Sequence, residues 1–156
     1  MMAATLDWNE TIVELGKLLL AYFLALPVGW HREKEAHSVG VRTFPLVAVA
    51  SCGYLLLTMP SGTHSLDAQS RVLQGMVTGI GFIGAGAILK SEANVHGTAT
   101  AASIWITGVQ GAAVAQERFT MAVVLAALNL LTLRVLLPLK QRLGDHADSS
   151  GSGDPV

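Results

Sequence analysis

Charge is scarce in this sequence. Only 13% of its 156 residues are Asp, Glu, Lys or Arg, against about 25% in an ordinary soluble domain. A water-soluble fold of this length needs more polar surface than that. The formal net charge of −1 leaves no basic face to neutralise phosphates, so no nucleic acid partner is expected. Cysteine is nearly absent. Cys52 stands alone, which excludes an intramolecular disulfide, and inside an apolar block it reads as a small buried hydrophobe. A basic start is also missing. Asp7, Glu10 and Glu14 precede the first basic residue, Lys17, so the N-terminus does not read as a cleavable signal. No serine, cysteine or carboxylate pairing gives a nucleophile with its base. No catalytic residue, enzymatic activity or cofactor is expected.

What the chain has is apolar residues, 51% of the total, gathered in blocks rather than in alternation. Such blocks are solvated by lipid. Five are candidate membrane spans: about 12–30, 43–59, 72–89, 98–115 and 119–137, the last ending at Pro138. Each is near the roughly 17–25 residues that a helix needs to cross the hydrocarbon core. The expected fold is an all-α membrane protein, a bundle of about five transmembrane helices. Residues 1–11 form an extracytoplasmic N-terminus, 12–139 the membrane domain, and 140–156 a polar cytoplasmic tail read as disordered. Only Gln116, Glu117 and Arg118 separate the last two spans, so those pair as a tight hairpin. No internal repeat and no second domain are evident.

Arg32, Lys34 and Arg42, then Lys90, then Lys140 and Arg142 all fall on one side of such a bundle, against Arg71 and Arg118 on the other. By the positive-inside rule that side is cytoplasmic, with the N-terminus outside and the C-terminus inside.

The third span carries five glycines in the twelve residues from Gly75 to Gly86. Gly79, Gly81 and Gly84 spell a literal G-x-G-x-x-G. A dinucleotide fingerprint also needs a preceding strand and an acidic residue about 20 positions on, and position 104 is Ile104. Two readings remain. Gly75, Gly79 and Gly86 form a small-residue stripe for close helix packing, or the glycines break the helix and free carbonyls to line a polar cavity. In the fourth span Thr100 and Ser103 lie three apart and share a face. Their hydroxyls bond across to another helix or line a path, and Trp105 gives that helix one large anchor. The first cytoplasmic loop, 29–43, is the densest charge cluster. Arg32, Glu33 and Arg42 serve either as topology signals or as a recognition or gating patch. Glu14 and Lys17, three apart on one face, read as a pair near the outer surface. Gln74, Gln110 and Asn129 are uncharged polar groups inside spans, expected to be satisfied across helices. His31, His37, His64, His96 and His146 show no metal-ligand spacing, and no metal ligand set is assigned.

Three of these stretches resemble one family. Gly29-Trp-His-Arg32-Glu33-Lys-Glu35 with Gly40-Val-Arg42-Thr43-Phe-Pro-Leu-Val looks like the first-loop signature of the MgtC/SapB family of bacterial membrane proteins. Gly79-Ile-Gly81-Phe-Ile-Gly84-Ala-Gly86 looks like its glycine-rich helix, and Gly97-Thr-Ala-Thr100-Ala-Ala-Ser103-Ile-Trp105 is similar to its Gly-Leu-Thr-Thr-Ala-Ala stretch. They occur in the family's order, and the resemblance covers about residues 12–137. His31 stands where members commonly have an acid, and Thr98-Ala99 replaces Leu-Thr. The resemblance implies a multi-pass protein of the bacterial cytoplasmic (inner) membrane, with a role in magnesium or ion homeostasis. The partners implied are the lipid bilayer, another membrane protein complex and further copies of the chain. The alternative is an ion transporter or channel, for Mg²⁺ or another ion, working through the glycine-rich bundle.

The topology is tested by cysteine accessibility. With Cys52 replaced, Thr5→Cys is expected to label from the outside and Ser150→Cys from the cytoplasm. Labelling of both from one side rules out an odd number of crossings.

Overall fold

The structure, a computed structural model, describes residues 7–36, 40–58, 66–91 and 94–149. Five helices follow one another: α1 (Trp8–Ala36), α2 (Thr43–Leu56), α3 (Leu66–Gly86), α4 (Thr98–Ala115) and α5 (Phe119–Ser149). A two-stranded hairpin, β1 (Leu89–Ser91) antiparallel to β2 (Asn94–His96), joins α3 to α4. That hairpin escapes the apolar-block reading, because three-residue strands carry no usable period.

Helix ends differ from expectation at several places, α3 for one running Leu66–Gly86 where 72–89 is expected. The charge cluster 30–34 lies on the last turns of α1, not in a loop. Glu, Lys and Arg are good helix formers and extend a helix past the point where its apolar run stops. Pro138 does not end α5, which continues to Ser149. The segment from Leu139 to Leu143 is again made of helix formers. α2 has 14 residues, about 21 Å of helix. Among the described residues one helical stretch, Trp8–Lys34, is by length and composition long and apolar enough to cross a membrane, while Thr43–Leu56 and Phe119–Val135 are apolar but shorter.

α4 occupies the centre and touches the other four helices, whereas α3 packs on α4 and only marginally on α2. Many large apolar side chains lie at the surface, among them Phe23, Trp30, Leu46, Phe82, Leu128 and Leu131. The interior is mainly apolar and also takes in Arg32, Thr100, Ser103, Thr107, Gln110 and Asn129. Exposed apolar side chains of this kind suit a helix bundle with an apolar partner or solvent.

The glycines that permit close packing are not the expected ones. α3 runs unbroken through its glycine-rich stretch. Gly75, Gly79 and Gly86 have nothing within 4 Å of a Cβ, so the expected stripe packs against no described part of this chain. The G-x-x-x-G spacing marks a smooth face but not which way that face points. Contact falls instead to Gly84, where a Cβ would lie 3.4 Å from the Ala101 carbonyl oxygen, and more closely to Gly108 and Gly111 of α4. A Cβ on Gly111 would sit against the Ala48 carbonyl, 2.9 Å from its carbon. Gly97 has φ +88° and faces the Ala87 carbonyl oxygen, so the turn into α4 tolerates a side chain on neither count.

Gly111→Ala is therefore expected to destabilise by about 1–3 kcal/mol through overpacking. Gly79→Ala, with open space around it, leaves stability unchanged or slightly raised. Thermal unfolding in detergent measures both, and equal losses would sink this assignment of the packing glycines.

Candidate functional site

Residues 100, 103, 107 and 110 of α4 are spaced by three and four, which puts them on one helix face. All four are polar and at most 3% exposed: Thr100, Ser103, Thr107 and Gln110. The stripe covers about ten residues, roughly 15 Å of helix, and lies inside the bundle.

At its lower end the stripe meets Arg32. This guanidinium is only 5% exposed, and its Nη2 donates to the Thr100 hydroxyl. α1 delivers it because the helix continues past Trp30. Gly29 and Gly40 let the chain turn tightly there: a Cβ on Gly29 would lie 3.1 Å from the Gly40 carbonyl oxygen, and one on Gly40 would lie 2.7 Å from the Glu33 Cα. A cation at this depth is expensive unless hydrogen-bonded.

Halfway along, Asn129 of α5 supplies the cross-link. It is 1% exposed, and its Nδ2 donates to the Ser103 carbonyl at 3.2 Å and, at 3.5 Å, to the Thr107 hydroxyl. The Thr107 hydroxyl donates in turn to the Ser103 carbonyl at 2.8 Å. Gln110 closes the stripe. Fully buried, its amide oxygen and nitrogen meet no hydrogen-bond partner among the described residues.

Beyond the upper end, Lys17 of α1 reaches the α4–α5 turn and donates to Glu117 Oε1 at 2.8 Å. The expected Glu14–Lys17 pair gives way to this longer-range one, because the hairpin turn brings a carboxylate beside Lys17. Glu117 holds φ +60°, the left-handed position that ends α4 in a Schellman turn, with Arg118 N donating to the Ala113 carbonyl at 2.9 Å. The hydrogen bond from Lys17, and then the ammonium charge itself, hold the Glu117 carboxyl below the usual carboxylate range.

The charge cluster read from sequence separates into three roles. Arg32 is buried in the stripe. Glu33 is exposed and accepts the Val41 backbone N–H at 3.0 Å, which pins the loop before α2. Arg42 is exposed just ahead of α2, and Thr43, the first residue of that helix, is half-buried. Among the glycines Gly84 is buried, and a Cβ on Gly81 would lie 3.8 Å from Trp105 Nε1, while Gly79 and Gly86 stand open. Trp105 is 44% exposed. Gln74 is exposed rather than satisfied across helices. His31 belongs to α1 and His96 to β2, and His37 and His64 lie outside the described residues. Among the described residues no group of three His, Cys, Asp or Glu could hold a metal ion. Sequence reasoning misses Thr107 and Gly111. The three-four spacing from Thr100 could have found Thr107, whereas Gly111 carries no local signal.

Removing the hydroxyl that Arg32 uses tests the lower end of the stripe. Thr100→Val is expected to cost about 1.5–3 kcal/mol, the worth of a hydrogen bond to a charged group, and Thr100→Ser far less. Thermal unfolding of the two in detergent gives the comparison. Identical midpoints would mean that the bond contributes nothing.

The model of the MgtC family matches residues 18–142, which include every residue of the stripe, Arg32 and Asn129. Protein SrpB of Synechococcus elongatus is 33% identical over 129 residues, covering 75% of this chain and 71% of its own length. The protein named "Putative magnesium transporter YhiD" in Escherichia coli K12 is 30% identical over 133 residues, covering 81% of this chain and 62% of its own. Protein MgtC of Salmonella typhimurium is 34% identical over 120 residues, covering 77% of this chain and 50% of its own. The chain thus spans between half and about seven-tenths of the length of these relatives. No solved structure matches it. With four-fifths of its residues inside the family match and the polar stripe among them, the chain belongs to the MgtC family.

Proposed function

We propose that this chain crosses the bacterial inner membrane five times, N-terminus outside, as a non-enzymatic protein of magnesium or ion homeostasis that acts on a membrane partner. The observation carrying this reading is the chemistry of the buried polar groups. Among the described residues these are Arg32, Ser51, Thr100, Ser103, Thr107, Gln110 and Asn129. None is a carboxylate, the group that ordinarily anchors Mg²⁺ in protein sites, and one is a cation, which repels it. Two of these side chains bond across helices, Arg32 to the Thr100 hydroxyl and Asn129 to the Ser103 carbonyl and the Thr107 hydroxyl, as structural interhelical bonds do. Magnesium enters through the family and through the printed name of the Escherichia coli relative.

A second reading, transport by the chain itself, draws on one observation. The polar stripe of α4 is continuous for about three turns and ends in Gln110, whose amide is unspent among the described residues.

Reconstitution separates the two. Proteoliposomes holding the pure protein are expected to show no saturable Mg²⁺ flux above that of empty vesicles. Saturable flux that Gln110→Leu abolishes would install the transport reading in place of the first.

A further inference from the structure

α2 and α3 touch only marginally, and the space between them is a groove of about 680 Å³. Its walls run from Thr43 to Tyr54 along α2 and from Ile83 back to Val72 along α3. Eleven residue steps of helix on each wall give a length of about 17 Å. One leaflet of the hydrocarbon core is about 15 Å thick. The floor is smooth because Gly75 and Gly79 lie there with nothing within 4 Å of a Cβ. The lining is mostly apolar, with hydroxyl-bearing Thr43 at one mouth and Ser51 and Tyr54 further along α2.

That mouth also carries charge. Arg42 immediately precedes Thr43 and is exposed. The nearest acid of the same junction, Glu33, is occupied by the Val41 N–H. The first turn of α2 contains no acidic residue, and its backbone offers no spare donor: Thr43 N and Phe44 N both bond to the Gly40 carbonyl, Leu46 N bonds to the Arg42 carbonyl, and residue 45 is proline. An anion arriving at this end meets the Thr43 hydroxyl, with the exposed Arg42 one residue away, and not a helix N-terminus.

We propose that the α2–α3 groove holds an acyl chain of an anionic phospholipid from the leaflet at the α1–α2 loop, with its phosphate held by Arg42 beside Thr43. An apolar slot one leaflet deep with a cation at its polar end has the dimensions and the charge order of a phospholipid. The guanidinium fork suits phosphate oxygens bidentately. The inference rests on the multi-pass reading above and adds a ligand to it.

Native mass spectrometry tests it. The full chain is purified in mild detergent with equal amounts of dioleoyl phosphatidylglycerol and dioleoyl phosphatidylcholine. The wild type is expected to retain one phospholipid, the phosphatidylglycerol at least several-fold over the phosphatidylcholine. Gly79→Leu, which fills the slot, is expected to lose the lipid while keeping its helical circular dichroism. Arg42→Gln is expected to keep one lipid but with the preference reduced to near unity. Equal retention of the two lipids by the wild type, or undiminished retention by Gly79→Leu, overturns the proposal. So does a wild-type dimer that Gly79→Leu converts to monomer without change in bound lipid, because the groove then belongs to a second copy. Failure of the membrane reading itself is seen separately, as release of the chain from membranes by alkaline carbonate.

Discussion

The close approach of α4 to its neighbours is the constraint on which the rest of the molecule depends. Gly111 lies against the Ala48 carbonyl, Gly108 against Ile80, and Ala101 against Gly84. Under the proposed multi-pass reading, lipid gives helices no hydrophobic drive to associate, and close van der Waals packing and interhelical hydrogen bonds take its place. The two act on different sides of α4. Ala101, Gly108 and Gly111 close on α2 and α3, whereas Arg32 of α1 donates to Thr100 and Asn129 of α5 donates to Thr107. Losing either bond would leave a buried polar group short of a partner.

Much of this architecture is legible from spacing alone. The number of helices follows from the apolar blocks, and the three-residue gap between blocks four and five does form the tight α4–α5 turn. Thr100 and Ser103 share a buried face as their separation requires. What spacing does not encode is azimuth. A G-x-x-x-G pair looks the same whether it faces a neighbour or lipid, so a reading by spacing over-values Gly79 and passes over Gly111. Long-range partners are hidden for a related reason. Lys17 has Glu14 one turn away on its own helix, and only the fold reveals that Glu117, a hundred residues on, is the one it meets.

Arginine placement is legible in number and not in kind. Arg32 and Arg42 count equally in a tally of positive residues. One is 5% exposed and bonded into the core, the other projects at the surface. The difference arises within the nine residues of chain, 33–41, that separate them. α1 carries Arg32 inward on its last turns, and the tight passage through Gly40 then lifts Arg42 out ahead of α2. A single topological signal has become an internal brace and an external contact.

Gly97 has a mechanical meaning of its own. It joins the β hairpin to α4 with a left-handed backbone pressed on the Ala87 carbonyl oxygen, just past the end of α3. α3 otherwise has one buried residue, Gly84, and takes no part in the polar bonding that ties α1, α4 and α5. The molecule thus divides into a braced frame and a plank laid along its side, held to α4 by packing alone at Ile80 and Gly84. Force applied to the plank would slide it over those contacts and turn it about the stiff joint at Gly97.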